Sequence, residues 1–300
     1  MKSIDLCKSH PQFRMIDGLS DWSGVWVAGA IAAAWFASLI FFLSLDLARC
    51  SAIVVVLGLL VRTFLHTGLF AIAHDAIHNN VFPQQPRLNR WVGRLALGLY
   101  GLLSYDICYQ LHWQHHRSPA THLDPDYHAG SGEDSVWDAV GWYFRFVASY
   151  LNVRQLALIV VGIGLCAFSL VVGARVELLN LILFWILPWC LSSVQLFFFG
   201  TYLPHRFSHN SKSTHAAKSY YFSEFWSFLA CYHFGYHWEH HAYPNVPWYR
   251  LPQLRSCTWP VKGIEVRTPA IAQWNVRLTC PRPSVANQCA GSDAKSLSAR

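Results

Sequence analysis

Four long apolar blocks dominate the chain, over residues 24–45, 52–73, 156–173 and 178–199. At 1.5 Å per residue, each is long enough to cross about 30 Å of hydrocarbon as a helix. They come in two pairs joined by very short polar connections, "DLARC" and "ARVE". The pattern predicts two helical hairpins. Two further stretches, Trp91–Leu103 and the aromatic Val136–Leu151, are too short to cross and are expected to lie at the interface or re-enter. The fold class read from this pattern is an all-α integral membrane protein, with four transmembrane helices in two hairpins and a histidine-rich helical cap. Residues 1–256 are expected to form one membrane domain. Residues 257–300, which contain Pro, Ser and Ala without clear periodicity, are expected to be a mobile tail.

Composition agrees with this reading. Of 300 residues, 53% are hydrophobic and 13% charged, against about 25% charged in an ordinary soluble domain. Aromatic residues, 15% of the chain, often flank the apolar blocks as interfacial anchors do. The nine cysteines form no CxxC pair and are odd in number, and Met1–Asp21 is polar without a signal-like apolar core. They read as reduced small hydrophobes rather than a disulfide framework.

The net charge of +7 would suggest nucleic acid only if clustered on a soluble surface; here it sets topology. The tight hairpin loops hold only Arg49 and Arg175, whereas Arg87, Arg90, Arg94, Arg117, Arg145 and Arg154 lie between the hairpins. Positive residues stay on the cytoplasmic side, so both termini and the middle segment are expected there. Arg62, near the middle of the second block, is costly in hydrocarbon. It is expected either to meet a polar group on another span or to mark a shifted span boundary.

The candidate chemistry lies in histidines. There are sixteen, and eight fall into three clusters: "HDAIH" (His74, His78), "HWQHH" (His112, His115, His116) and "HWEHH" (His237, His240, His241). On a helix, residues three and four apart share a face, so each cluster offers converging imidazoles. All three are expected on the same membrane side. Packing alone would choose Leu or Phe, which bury without desolvating a polar ring. His205, in "FGTYLPHR", follows the fourth span within reach of the same face and is a further expected ligand. His233, four before His237, points the same way if that segment is helical. Asp75, Asp124, Asp126 and His128 are candidates either as ligands or as groups orienting the imidazoles; "HLDPDYH" could equally be a turn with Asx bonding. His10, His209 and His215 stand outside the clusters and read as surface side chains.

Neutral imidazole suits Fe, Zn, Cu and Ni. One tetrahedral zinc takes four ligands, so eight or more histidines imply two ions. A zincin site resembles "HDAIH" but would need Glu where Asp75 stands and would leave two clusters unused. Bis-histidine haem would need histidines near mid-span. Two non-haem irons with open positions for dioxygen fit best.

These residues resemble the membrane fatty-acid desaturase/hydroxylase superfamily. More narrowly, "GLFAIAHDAIHNNVFP", "HWQHHRSPATHLDPDYH", "FGTYLPHR" and "YHFGYHWEHHAYPNVPW" resemble the bacterial and cyanobacterial β-carotene ketolases, over residues 50–256. Asn79 stands where such proteins usually carry glycine, and the segment 207–221 matches nothing familiar. The resemblance implies a non-haem diiron oxygenase that turns the C4 methylene of a β-ionone ring into a ketone, giving echinenone or canthaxanthin in carotenoid biosynthesis. It further implies a membrane-dissolved carotenoid, O2 as co-substrate, and an external electron-donor protein, with ferredoxin as a candidate. The rival readings are a fatty-acyl desaturase or hydroxylase of the same superfamily and a non-enzymatic zinc or haem membrane protein.

Overall fold

The computed structural model describes residues 22–128, 135–151, 153–206, 217–220 and 222–258, and among these it is helical with no strand. Residues 259–300 of the expected tail, together with His10, His209 and His215, lie outside the described residues. Among the described residues, four helices are long and apolar enough to span a membrane: α1 (Ser23–Leu43), α2 (Ala52–Ile77), α6 (Val153–Gly173) and α7 (Leu178–His205). They fall on the four apolar blocks. α2 and α7 run past the block ends at 73 and 199, and those extra turns carry His74, Asp75 and His205. Hydropathy stops there because the side chains turn polar. The helices continue because those side chains are buried among partners.

Six shorter helices complete the described fold: α3 (Pro86–Gly101), α4 (Tyr105–Arg117), α5 (Val136–Tyr150), α8 (Glu224–Cys231), α9 (His237–Ala242) and α10 (Leu251–Thr258). α3 and α5 occupy the two stretches expected at the interface. α2 is the central element, packed against α1, α3 and α7. Leu69, Ala71, Ile72, Ala73 and Ala76 of α2 are buried there. α6 has the opposite character. Ile159 is its one buried side chain, and Val160, Val161 and Leu165 stand exposed as a lipid-facing surface.

The hairpin ends are closed by local polar chemistry. Ser51 caps α2 through Val54 N–H at 3.4 Å, and Asp46 caps the turn before it through Ala48 N–H at 3.1 Å. The last carbonyls of α1 have no partners within the helix. Asn180 of α7 serves this end, its Nδ2 amide shared among Leu45 O just beyond the helix at 2.7 Å, Phe42 O at 3.2 Å and Leu43 O at 3.3 Å. The second hairpin is thereby fastened to the first.

Arg62 meets backbone rather than an acid. Its Nε donates to Phe184 O at 2.8 Å, and its Nη1 to Trp35 O and Ser38 Oγ, each at 2.8 Å. Its guanidinium also lies 5.2 Å from the centre of the Trp35 ring. The reason lies four residues beyond Phe184. Pro188 has no N–H to offer that carbonyl, and α7 relaxes into a π turn over Ile182–Ile186. Arg62 fills the gap from the neighbouring span. Of the two alternatives for Arg62, the polar partner on another span is the one observed.

Candidate metal centre

The first histidine cluster sits where α2 stops. His74 lies in its last turn and His78 is its C-cap. The helix ends in a Schellman motif, with Asn80 N–H bonded to Asp75 O at 2.8 Å and Asn79 N–H to Ala76 O at 3.2 Å. Asn79 has φ 60°, the left-handed conformation in which glycine is best and Asn the next choice. That geometry explains why Asn can occupy a position where glycine is usual.

The second cluster lies on α4, capped by Ser104 through Ile107 N–H at 3.4 Å. The third opens the short helix α9. Ser219 fixes that helix by accepting from Trp238 N–H at 2.9 Å and donating to the buried Glu239. His205 comes from the end of α7.

These elements bring two four-histidine groups together. One comprises His74, His78, His112 and His240; the other comprises His115, His205, His237 and His241. Within each group the ligand-capable nitrogens all lie within 4.8 Å of one another. In the first, His78 Nε2 is 2.7 Å from His112 Nε2. In the second, His241 Nε2 lies 2.9 Å from His115 Nε2 and 3.0 Å from His237 Nε2, with His205 Nε2 2.9 Å from His237 Nε2. Donors held about 2.0–2.1 Å from one ion stand roughly 3 Å apart, so these spacings suit a shared metal. In the first group the Nδ1 atoms of His74 and His78 are both buried without a hydrogen-bond partner.

His116 stands between the groups. Its Nε2 is 2.9 Å from His240 Nε2 and 3.1 Å from His112 Nε2, and its ring stacks on His241 with centroids 4.4 Å apart. Adjacent residues split between groups, His240 to one and His241 to the other, so the two candidate ion positions are neighbours.

Burial is the main electrostatic force here. It pushes the pKa values of His78, His112, His116, His237, His240 and His241 well below the usual imidazole range, helped by neighbouring imidazoles. Near neutral pH these rings are uncharged and can donate lone pairs. His115 differs. Burial opposes its protonation, but the hydrogen bond to Asp124 and the charges of Asp126 and Asp124 outweigh burial and raise its pKa. Asp124 Oδ1 accepts from His115 Nδ1 at 2.9 Å, which leaves Nε2 as the metal-facing nitrogen. Asp124 is held in turn by Ala120 N–H at 2.8 Å and Asp126 N–H at 2.8 Å. Burial first, with the Asp124 charge, lifts Asp126 to about 6 despite His115 nearby.

The remaining sequence candidates lie elsewhere. The helix that would have aimed His233 at the metal positions begins only at His237. His233 itself has φ 61°, and its ring stacks on Tyr236 at 5.4 Å. Asp75 accepts from Trp248 N–H at 3.3 Å, tying α2 to the segment after the third cluster. His128 pairs with Asp138 at 2.8 Å and with Arg145. Neither is in a four-histidine group.

An apolar cavity of about 270 Å3 opens onto both groups. Its wall includes His74, His112 and His240 of one and His115 and His237 of the other, with Phe70, Phe146, Trp189, Leu196 and Phe234. It also includes Tyr150, whose hydroxyl donates to Asp126 Oδ1 at 3.0 Å. Sequence reasoning did not single out Tyr150. Only its place at the end of an aromatic stretch could have drawn attention, and nothing local ties it to a carboxylate twenty-four residues earlier.

The sequence profile described as fatty acid desaturase matches residues 51–261. A protein named beta-carotene ketolase from Paracoccus sp. is 40% identical over 232 residues, 77% of this chain and 91% of that protein. A second, from another Paracoccus sp. strain, is 39% identical over the same length. A zeaxanthin 4-ketolase from Chlamydomonas reinhardtii is 34% identical over 239 residues, covering 77% of this chain and 51% of the relative.

Proposed function

Since the chain belongs to the fatty acid desaturase family, we propose that it is a membrane β-carotene 4-ketolase that oxidises the C4 methylene of the β-ionone ring to a ketone. The observation that carries this reading is the cavity. At about 270 Å3 it lies close to the lower end of the roughly 300–1,000 Å3 usual for ligand pockets, room for one ring. Its apolar wall meets histidines of both groups. A carotenoid dissolved in the bilayer would present one end there while its polyene stays in lipid.

The ligand set we propose is His74, His78, His112 and His240 for one iron and His115, His205, His237 and His241 for the other, with His116 between them. The donors fit such ions: imidazole nitrogens, spaced for shared coordination and buried. When bound, two non-haem irons supply the dioxygen chemistry that removes hydrogen from a methylene no acid or base could ionise. In each round, CH2, O2, two electrons and two protons give CHOH and water. A second round at the same carbon gives a geminal diol, which loses water to leave C=O. The electrons come from an external donor protein, for which ferredoxin is a candidate. The protein's own contribution is positional. Asp124 fixes the His115 tautomer, α9 is pinned through Glu239 and Ser219, and the apolar wall excludes water.

Cells that accumulate β-carotene are expected to make echinenone or canthaxanthin when this chain is expressed. Unchanged pigment with altered acyl-chain unsaturation would favour the desaturase reading instead.

Lysine and arginine placement supports a cytoplasmic metal site, with the two hairpin turns on the opposite side. Reporter fusions after Asp46 and near Arg175 should therefore register outside the cytoplasm, and fusions near Gly130 inside. A signal outside at Gly130 would separate α4 from the other histidines and remove the shared site.

A further inference from the structure

Besides the histidines and a few hydroxyls, the cavity wall holds a carboxylate. Asp126 is the carboxylate among its lining residues, and Tyr150 lines it beside Asp126. Tyr150 donates to Asp126 Oδ1 at 3.0 Å. The second oxygen, Oδ2, is 3.8 Å from His115 Nδ1, beyond hydrogen-bond range. His115 Nδ1 is already engaged by Asp124. The Asp126 backbone is fixed on both sides, its N–H donating to Asp124 Oδ1 at 2.8 Å and its carbonyl accepting from Trp142 Nε1 at 3.0 Å. Two other hydroxyls of the wall are engaged with the fourth span. Tyr143 pairs with Ser193 at 2.7 Å, and Tyr100 accepts from Ser192 at 3.3 Å. Asp126 therefore presents a rigidly held acceptor with unused capacity, next to His115, in a pocket otherwise suited to hydrocarbon.

Asp126 already faces His115 and Tyr150, but an all-carbon ring offers its remaining acceptor capacity no partner, and burying such capacity unused is costly. The product of the first oxidation does have a use for it. A secondary alcohol at the reacting carbon carries an O–H that can donate to a carboxylate. Resting on the ketolase reading, we propose that Asp126 and Tyr150 form a hydroxyl-binding subsite that retains the alcohol intermediate for its second oxidation. Asp126 accepts from the new hydroxyl, and Tyr150 holds Asp126 in position. Both oxidations of one ring then occur in a single visit, and ketone rather than alcohol leaves. Tyr150 is a positioning residue in this scheme, because it acts through Asp126.

The test is a partition, so it does not depend on overall rate. Membranes containing the protein are given carbon-13-labelled β-carotene, a large excess of unlabelled 4-hydroxy-carotenoid and a reducing system. Retention predicts ketone that keeps the label undiluted in the unsubstituted protein. Ketone diluted to the composition of the pool would overturn the proposal, since the alcohol would then be exchanging with the bilayer. In Tyr150→Phe and Asp126→Asn, the ratio of released alcohol to ketone should rise about tenfold or more, as loss of a hydrogen bond to a charged group permits. A fall in total product at an unchanged ratio would make Tyr150 merely structural and also overturn the proposal. If either variant fails to reach the membrane, the label experiment on the unsubstituted protein decides alone. If that protein oxidises no carotenoid at all, the ketolase reading itself fails, a result distinct from oxidation with label dilution.

Discussion

His237→Ala will abolish ketone formation and lower bound iron below the about two ions per chain expected from four nitrogen ligands each. His237 Nε2 lies 2.9 Å from His205 Nε2 and 3.0 Å from His241 Nε2, so its loss opens a position in a fully buried group. The surroundings give little room for a substitute to move in. α9 is pinned by Ser219 and Glu239, and His205 sits at the end of a long span. His74→Ala, His112→Ala, His116→Ala and His241→Ala should behave in the same way. Asp124→Ala should be milder, because the His115 Nε2 lone pair survives and only its orientation is lost; groups that orient ligands typically contribute 10–100-fold. His233→Ala and His128→Ala, outside both groups, should keep their iron. Iron analysis of purified protein alongside pigment analysis reads all of these outcomes. Full iron and full activity in the His237 variant would eliminate the histidine groups as the active centre.

The second large effect concerns stability rather than chemistry. Arg62→Ala removes a fully buried side chain together with three hydrogen bonds. Large-to-small changes in a core cost about 2–5 kcal/mol, and a stranded carbonyl adds about 1–3. Against this, the charge no longer has to be held in hydrocarbon, which recovers about 2.5–3.5. Packing and the carbonyl outweigh the charge, for a net loss of about 2.5 kcal/mol at the middle of these ranges. The double variant Arg62→Ala, Pro188→Ala should recover about 1 kcal/mol of that, because an N–H at position 188 gives Phe184 O a partner within its own helix. Thermal inactivation in detergent measures both. An Arg62→Ala protein as heat-resistant as the parent would show that the bridge between the spans is not needed.

The apolar blocks and histidine spacings could be read because each is a local property. Hydropathy places a span and i, i+3, i+4 spacing places a face, and α1, α2, α6 and α7 lie where the blocks are. The pairing of histidines was not legible. His240 and His241 are consecutive yet belong to different groups, because α9 points between the two ion positions and contacts with α2, α4 and α7 decide the split. His233 failed as a helical neighbour of His237 for a related reason. Tyr232 and His233 both adopt positive φ, breaking the chain between α8 and α9 so that the spacing of four carries no directional meaning. Arg62 was visible as an anomaly, but its partner depended on a missing N–H 126 positions later, at Pro188. Tyr150 and Asp126 meet only because α5 folds back over the loop after α4.

The size of the cavity also bears on time course. A carotenoid has a ring at each end, and on the proposed reading one ring enters the pocket at a time. A molecule oxidised at its first ring must withdraw, diffuse in the bilayer and return with its other end foremost. With the retention proposed above, oxidation would be processive within a ring and distributive between rings. The one-ended product builds up first and declines later, with a lag before the symmetrical product appears. During that interval the untouched ring is open to any other membrane enzyme, so relative enzyme abundance, rather than selectivity at this site, sets the proportion of mixed-end carotenoids.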